Sequence, residues 1–535
     1  MKRIIVVVIL LLIFLSGCEQ SRISEEKGIK IEDEKPMVGG QLNIACIEPI
    51  SFNPVRIENK SYQDITSLFF AGLFEYDIES RITPVLAKEI EIDEKTGKGI
   101  IRLRNDMFWS DGNKVTSKDV KFTMDLIKNS RDSIYNKNLL RIQNYKIVDE
   151  ETLNISFTKP YYNLVEQLCF PIIPNHIYSI KENYIPVGTG PYKVTDYKKL
   201  KYMDLEPNEF YWKGKTPFIE KIKVIFIDDK HAFDPVFQSG TIDILHASSY
   251  DWEKYKEQKD ISTIKYISDS LEFILINHNN ETLKDVEVRQ ALMYGINRKA
   301  IADKHLLGHA VLTDIPAKPG SCLDDGIGIR YNYSKTEAQY MLDNAGFTYN
   351  ENARIFEREA DNKKQVLRFT LITNIENNYR IKAAEDIKHN LEEIGVVVDL
   401  EIAPFEEVEK AIKSKKFDLI LTGVNTKTDF IAYLHSKDAI GVNNYGSYAN
   451  EDIDLLIDDI IANQNDKDKL FEDYRLIQEI IRKDLPFLCM FYKENALVIR
   501  NRIRGSIEPD SANLFRTIGK WYIVQSASET TEKEE

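Results

Sequence analysis

Between Leu271 and Ile301 the chain changes its period in a way few folds can accommodate. Leu271–Asn277 (LEFILIN) is a nearly unbroken apolar run, too short for a helix and suited to a strand buried on both faces. After a short polar loop the period becomes helical. Asp285 can accept from the first free amides, Glu287 suits the positive helix end, and Val288, Ala291, Leu292 and Gly295 fall at i, i+3, i+4 and i+7. Asn297 is placed to cap a second helix, which Gly308 ends. The same alternation returns downstream: strands are predicted at Leu367 to Thr373, Val396 to Ala403 and Phe417 to Leu421, separated by helices from about Tyr379 to Ile394 and up to Ser414. Strands separated by helices predict a parallel sheet covered on both faces, with ligands gathering at the strand ends.

A chain of 535 residues, 43% of them apolar, can bury several cores, so two or three domains are expected. Its formal charge of -14 argues against a nucleic-acid partner. At the N-terminus, Met1-Lys2-Arg3 precedes the apolar run Ile4 to Leu15, which at roughly 1.5 Å per residue is too short to span about 30 Å of hydrocarbon and reads as a signal peptide. Leu15-Ser16-Gly17-Cys18 resembles a bacterial lipobox, implying cleavage before Cys18 and lipid on its sulfur; the alternative is an ordinary signal with a chance cysteine. Residues 19–38 have the charged, aperiodic composition of a tether, and residues 525–535 that of a disordered tail. Cys46, Cys169, Cys322 and Cys489 lack zinc or redox spacing and are expected to be free thiols.

The catalytic motifs GxSxG, HExxH, EF-hand and Walker are absent, so no enzymatic activity, cofactor or metal is expected. His305 and His309 have metal-ligand spacing, but Gly308 between them should end the helix. A secreted hydrolase with an unfamiliar site is the reading from another class.

Ile276-Asn277 followed by Asp285–Leu292 (DVEVRQAL) and Ile296-Asn297-Arg298 resembles the signature of the family 5 extracellular solute-binding proteins, the peptide- and nickel-binding components of ABC importers. Similar elements are Leu68–Tyr76, Pro84–Ala87, Leu103-Arg104 with Phe108, Asp111-Gly112 and Asp119-Val120, Pro186–Tyr192 (PVGTGPY), and Ser239–Asp243; Ile90 stands where the family has tryptophan. Thr116 and Asp119 also have capping-box spacing, and Asp111 reads as a turn residue.

The resemblance implies an α/β, periplasmic-binding-protein-like type II (cluster C) bilobal fold with an extra small subdomain. Its parts would be a signal at 1–18, a tether at 19–38, lobe I from 39–78, 187–275 and 497–524, the subdomain at 79–186, and lobe II at 276–496. The joint between lobes is expected near Asn277 and Ala496. The implied protein is a monomeric, lipid-anchored, extracytoplasmic receptor that closes on an oligopeptide-like ligand and presents it to a membrane permease. Nickel chelates, haem or sugars are alternative solutes, and a peptide-signal sensor or a scaffold with a damaged pocket are alternative roles.

Peptide-binding members have Trp-x-x-Asp-Tyr after the strand at Phe417, with the aspartate on the ligand's ammonium. Here Gly423, Val424, Asn425, Thr426, Lys427 and Asp429 occupy the region. Thr426 or Lys427 falls at the ammonium position, and Asp429 is the carboxylate nearby. A Lys427 turned inward would suit an anionic or N-blocked ligand; a solvated loop lysine is the plain alternative. The resemblance also places Asn59, Lys60 and Ser61 where an extended edge meets the ligand backbone, and Tyr135 near an aromatic lid. Each of these equally fits plain surface.

Overall fold

The computed structural model describes residues 35–56, 59–93, 95–130, 133–158, 164–177, 184–214, 216–248, 250–360, 363–426, 433–436, 444–463 and 466–524. Contacts separate residues 1–37 from Val38–Glu535, and the fold described is that of the second unit. Cys18, Lys427 and Asp429 lie outside the described residues.

The long strand Ile261–Ile276 organises the molecule. Together with Phe487–Arg500 it forms the centre of a seven-stranded sheet ordered Ile244–Ser248, Phe487–Arg500, Ile261–Ile276, Leu419–Asn425, Arg368–Asn374 and Val397–Ala403, with Ala310–Leu312 also pairing Phe487–Arg500. The three downstream strands run parallel, as their alternation with helices predicts. Ile261–Ile276 is antiparallel to both of its neighbours.

Helices cover both faces of this part of the sheet. On one, Val286–Gly295, Arg298–Leu306 and Asn378–Glu393 bury Val288, Ala291, Leu292, Ile301 and Ile387 against Ile274, Ile276, Leu371 and Leu419. On the other, Phe405–Ser414, Glu451–Ala462 and Lys467–Asp484 bury Val408, Ile453, Ile457, Ile477 and Ile481 against Phe273, Ile420 and Phe487. The predicted caps are present: Asp285 accepts from Glu287 N–H and Asn297 from Ala300 N–H. The second helix closes one residue before Gly308, at Leu307, which itself takes the left-handed conformation.

The first half of Ile261–Ile276 and the second half of Phe487–Arg500, which pair with each other, serve different cores. Leu497 and Ile499 join Leu42, Ile44, Val224, Phe515 and Trp521, and Ile261, Ala496 and Val498 pack with Phe237, Trp252 and Tyr255. The first of these cores lies on a four-stranded sheet, Gln41–Ile47, Lys221–Ile227, Tyr202–Pro207 and Tyr192–Lys198. Its first two strands bury alternate residues fully on this core, while Ala45 and Ile225 on the opposite face pack against the core of Phe237, Trp252 and Tyr255. The pairing of the long strands breaks register between Ile267 and Leu271, where the shift from one set of cores to the other occurs.

A separate antiparallel sheet, Ala87–Asp93, Lys98–Leu103, Thr152–Phe157 and Ile142–Ile147, packs with helix Ser117–Asn129 around Trp109, Met124 and Leu153. Thr116 and Asp119 form the reciprocal cap, and Asp119 also accepts from Asn175.

Gly188 and Gly190 bring their turn hard against Leu68-Phe69; a Cβ at Gly188 would lie 1.6 Å from the Phe69 carbonyl oxygen. Because the obstacle is backbone, it cannot rotate away. Gly188→Ala is expected to destabilise the protein by about 1–3 kcal/mol, measured by urea unfolding.

Candidate functional site

The C-terminal ends of the parallel strands carry a buried charge cluster. Glu272 has no solvent exposure, and it lies directly opposite Gly423 in the sheet. Its carboxylate accepts from Arg380 Nε at 2.8 Å and Nη2 at 3.1 Å, and it pairs with Lys493 Nζ at 2.6 Å. Arg380 stands in the first turn of Asn378–Glu393, which Asn377 caps, and its Nη1 donates to Asn374 Oδ1 at the end of its strand. Lys493 also lies over the Tyr379 ring, 5.2 Å from its centroid.

One carboxylate faces two cations, leaving one unit of positive charge in excess. Arg380 and Lys493 keep 14% and 23% of their side chains exposed, whereas Glu272 keeps none. Gly423 makes room for this arrangement: a Cβ there would lie 2.2 Å from Arg380 Nη2.

Beyond Gly423, Val424 pairs with Leu271 and Asn425 with Ser270. Thr426 donates through both its amide (2.8 Å) and its hydroxyl (3.2 Å) to the Asp269 carbonyl. The Asp269 carboxylate accepts from Lys318 Nζ at 2.8 Å, and its amide donates to Ser511 Oγ at 3.1 Å. Thr426 thus locks the end of its strand to the register break.

Asn59, Lys60 and Ser61 are arranged differently from the extended edge expected of them. Asn59 caps helix Lys60–Ile65 by accepting from Tyr62 N–H, and Ser61 Oγ donates to Asn59 Oδ1 while accepting from Ile47 N–H. Lys60 pairs with Asp64 four residues on. An Asn followed by a hydroxyl residue competes for free helical amides, so the backbone turns here instead of extending. Tyr135 is likewise packed: its ring lies 6.2 Å from Phe170, its hydroxyl meets Gln63, and burial pushes its pKa up to about 12. His305 and His309 do not converge, since the first meets Asp386 and the second Glu253 and Glu494. No group of three or more potential metal ligands is assembled among the described residues.

Sequence reasoning passed over Glu272, Arg380 and Lys493. The signal lay in the opening stretch itself, where Glu272 is the one charged residue inside an apolar run.

Glu166, in the 3-10 turn Leu164–Leu168, is 7% exposed, and burial pushes its carboxyl up to about 7 against the opposing Tyr76 hydroxyl. A carboxyl raised in the fold contributes stability that is complete below its ordinary pKa of 4.5 and is lost as pH rises towards 7. Glu166→Gln is therefore expected to gain roughly 1–3 kcal/mol on the parent between pH 5 and pH 8. Urea unfolding at the two pH values measures it.

Two sets of cores strung on shared strands, one of them an α/β/α layer with its polar cluster at the strand ends, define a type II, two-lobed solute-binding protein. Residues 81–436 match the middle region of the bacterial extracellular solute-binding proteins, family 5, and the chain belongs to that family. It is 27% identical over 547 aligned residues to the oligopeptide-binding protein AppA of Bacillus subtilis, covering 97% of this chain and 98% of that protein. The solved structure of that AppA with a nonapeptide superposes with a TM-score of 0.61 at 24% identity, covering 92% of this chain and all of the other. NikZ of Campylobacter jejuni, solved with Ni(L-His), gives a TM-score of 0.63 at 24% identity over 90% of this chain and 99% of its own. The family and fold implied by the signature residues at Ile276–Arg298 are thus borne out. No described helix is long and apolar enough to cross a membrane.

Proposed function

We propose that this chain is the receptor of an ABC importer and captures an oligopeptide-like solute by closure of two lobes, without catalysis. Lobe I comprises 39–78, 187–275 and 497–524, lobe II 276–496, and the appended subdomain 79–186. Within these bounds the joint is taken to lie a few residues before the lobe limits, at Ile267–Leu271 and Tyr492–Glu494, where the long strands lose register and change cores. Asn277 lies past it, its side chain donating to the Lys415 and Phe417 carbonyls inside lobe II. A break in ladder pairing is the place where two strands can twist at least cost. A lipid on Cys18 holds the receptor at the outer face of the membrane, and the permease is the partner that takes the solute.

The carrying observation is the cation excess at Glu272, Arg380 and Lys493 beside Gly423. A partly buried positive charge favours a ligand that brings a carboxylate, as a peptide does at its C-terminus. The reading gains support from AppA, a relative named for oligopeptide binding over nearly the whole chain. A carboxylate-bearing nickel chelate is the second reading, since it would use the same excess charge.

Calorimetry with matched peptides ending in a free carboxylate or an amide tests this. The amide is expected to bind roughly 10–100-fold more weakly, and Arg380→Gln to abolish the difference. Equal affinities for the two would overturn the assignment of the cluster.

A further inference from the structure

The segment joining strand Ala310–Leu312 to helix Lys335–Asn344 has no regular structure, yet it is fastened along its length. Its ends are fixed in lobe II. Asp314 is buried and accepts from Arg298 Nη2 at 2.8 Å, while Arg298 also donates to the Thr313 and Tyr331 carbonyls at 2.7 and 2.6 Å. Asp325 accepts from both terminal nitrogens of Arg482, Nη1 and Nη2, and Gln478 Nε2 donates to the Leu323 carbonyl at 2.6 Å.

Between these anchors the segment crosses the joint. The Pro316 carbonyl accepts from the Tyr492 hydroxyl at 2.8 Å, and Lys318 pairs with Asp269 at 2.8 Å. Four residues on, Cys322 N–H donates to the Glu79 carbonyl at 2.7 Å, reaching the turn that opens the appended subdomain. That turn is preset: Asp77 Oδ1 accepts from the amides of Glu79 and Arg81, each at 2.9 Å, and Ser80 holds a left-handed φ of 61°.

The fastening is unequal. Two buried ion pairs and several hydrogen bonds hold the segment to lobe II and the Lys318–Asp269 pair holds it at the joint, whereas among the described residues one backbone hydrogen bond, from Cys322 to Glu79, ties it to the subdomain turn. Movement of lobe II therefore carries the segment with it, and the contact that yields is Cys322 to Glu79.

We propose that Lys318–Asp324 is a strap that closes the cleft on the subdomain side, and that parting of Cys322 from Glu79 is the step through which solute enters and leaves. The bridging of Lys318–Asp324 to the Glu79 turn follows from the contacts; its closing of a cleft and its role in exchange rest on the two-lobe capture proposed above.

Glu79→Cys in the full chain places a second thiol opposite the native Cys322, to be joined by mild oxidation and checked by peptide mapping. The probe is a fluorescein-labelled pool of tripeptides to nonapeptides, chased with unlabelled pool. The oxidised variant is expected to exchange probe roughly tenfold or more slowly than the reduced form, and reductant to restore the rate. Unchanged exchange across the cross-link overturns the strap, as does failure of the two thiols to join. If neither the parent nor the reduced variant takes up the pool, the peptide reading fails by itself, and amide hydrogen exchange then judges the strap. The Cys322 amide is expected to exchange faster than that of Ile274 in the sheet core and to slow roughly tenfold on cross-linking. A Cys322 amide as protected as Ile274 before cross-linking contradicts the strap without reference to any ligand.

Discussion

Asp314→Ala is expected to cost about 3–5 kcal/mol of unfolding free energy, the cost typical of stripping one partner from a buried ion pair. Arg298 is 2% exposed, and its guanidinium is held by Asp314 and by the carbonyls of Thr313, Tyr331 and Cys489. Without the carboxylate a full charge is left inside the protein facing only dipoles. The double change Arg298→Met with Asp314→Ala is expected to recover part of the loss, because the buried charge goes with it. Recovery stops short of the parent because the Thr313, Tyr331 and Cys489 carbonyls lose Arg298 as donor and the Arg330 and Tyr331 amides lose Asp314 as acceptor. Urea unfolding of the two variants separates these contributions, and an Asp314→Ala protein as stable as the parent would contradict the burial of this pair.

Glu272→Leu is the second large effect, about 3 kcal/mol, at the lower end because Arg380 and Lys493 keep partial access to water. It also carries a functional sign. The parent cluster has one positive charge in excess, and removing Glu272 raises that to two, so the surviving protein is expected to bind carboxylate-bearing peptides more tightly while unfolding at lower urea. Leucine rather than glutamine is chosen so that no polar group is left to satisfy. Loss of both stability and affinity would instead mean that Glu272 positions the two cations as well as neutralising one of them.

How much of this was legible in the sequence depended on whether the cause was local. The caps at Asp285 and Asn297, the buried helix face of Val288, Ala291 and Leu292, and the reciprocal pair Thr116 and Asp119 all act within one helical turn, and each stands where its spacing puts it. The parallel trio of strands followed from alternation alone.

The register break between Ile267 and Leu271 was harder to read because strand Ile261–Ile276 begins ten residues before the apolar run, in a half-exposed stretch whose burial alternates irregularly. Periodicity sees only the fully buried half. The charge cluster was invisible for another reason: Glu272 and Arg380 are 108 residues apart in sequence, and only the finished sheet brings them together. At Asn59 and Ser61 the local signal was present in the sequence, as an asparagine placed to cap a helix, and the family-based expectation of an extended edge ran against it.

The measurement that bears most directly on the central claim is native mass spectrometry of the protein purified from its own cell envelope. Capture of oligopeptides between the lobes predicts a bound population of peptides, displaced by added peptide and diminished in Arg380→Gln. A purified protein that carries no peptide, and whose unfolding temperature stays fixed across a peptide library, would contradict it.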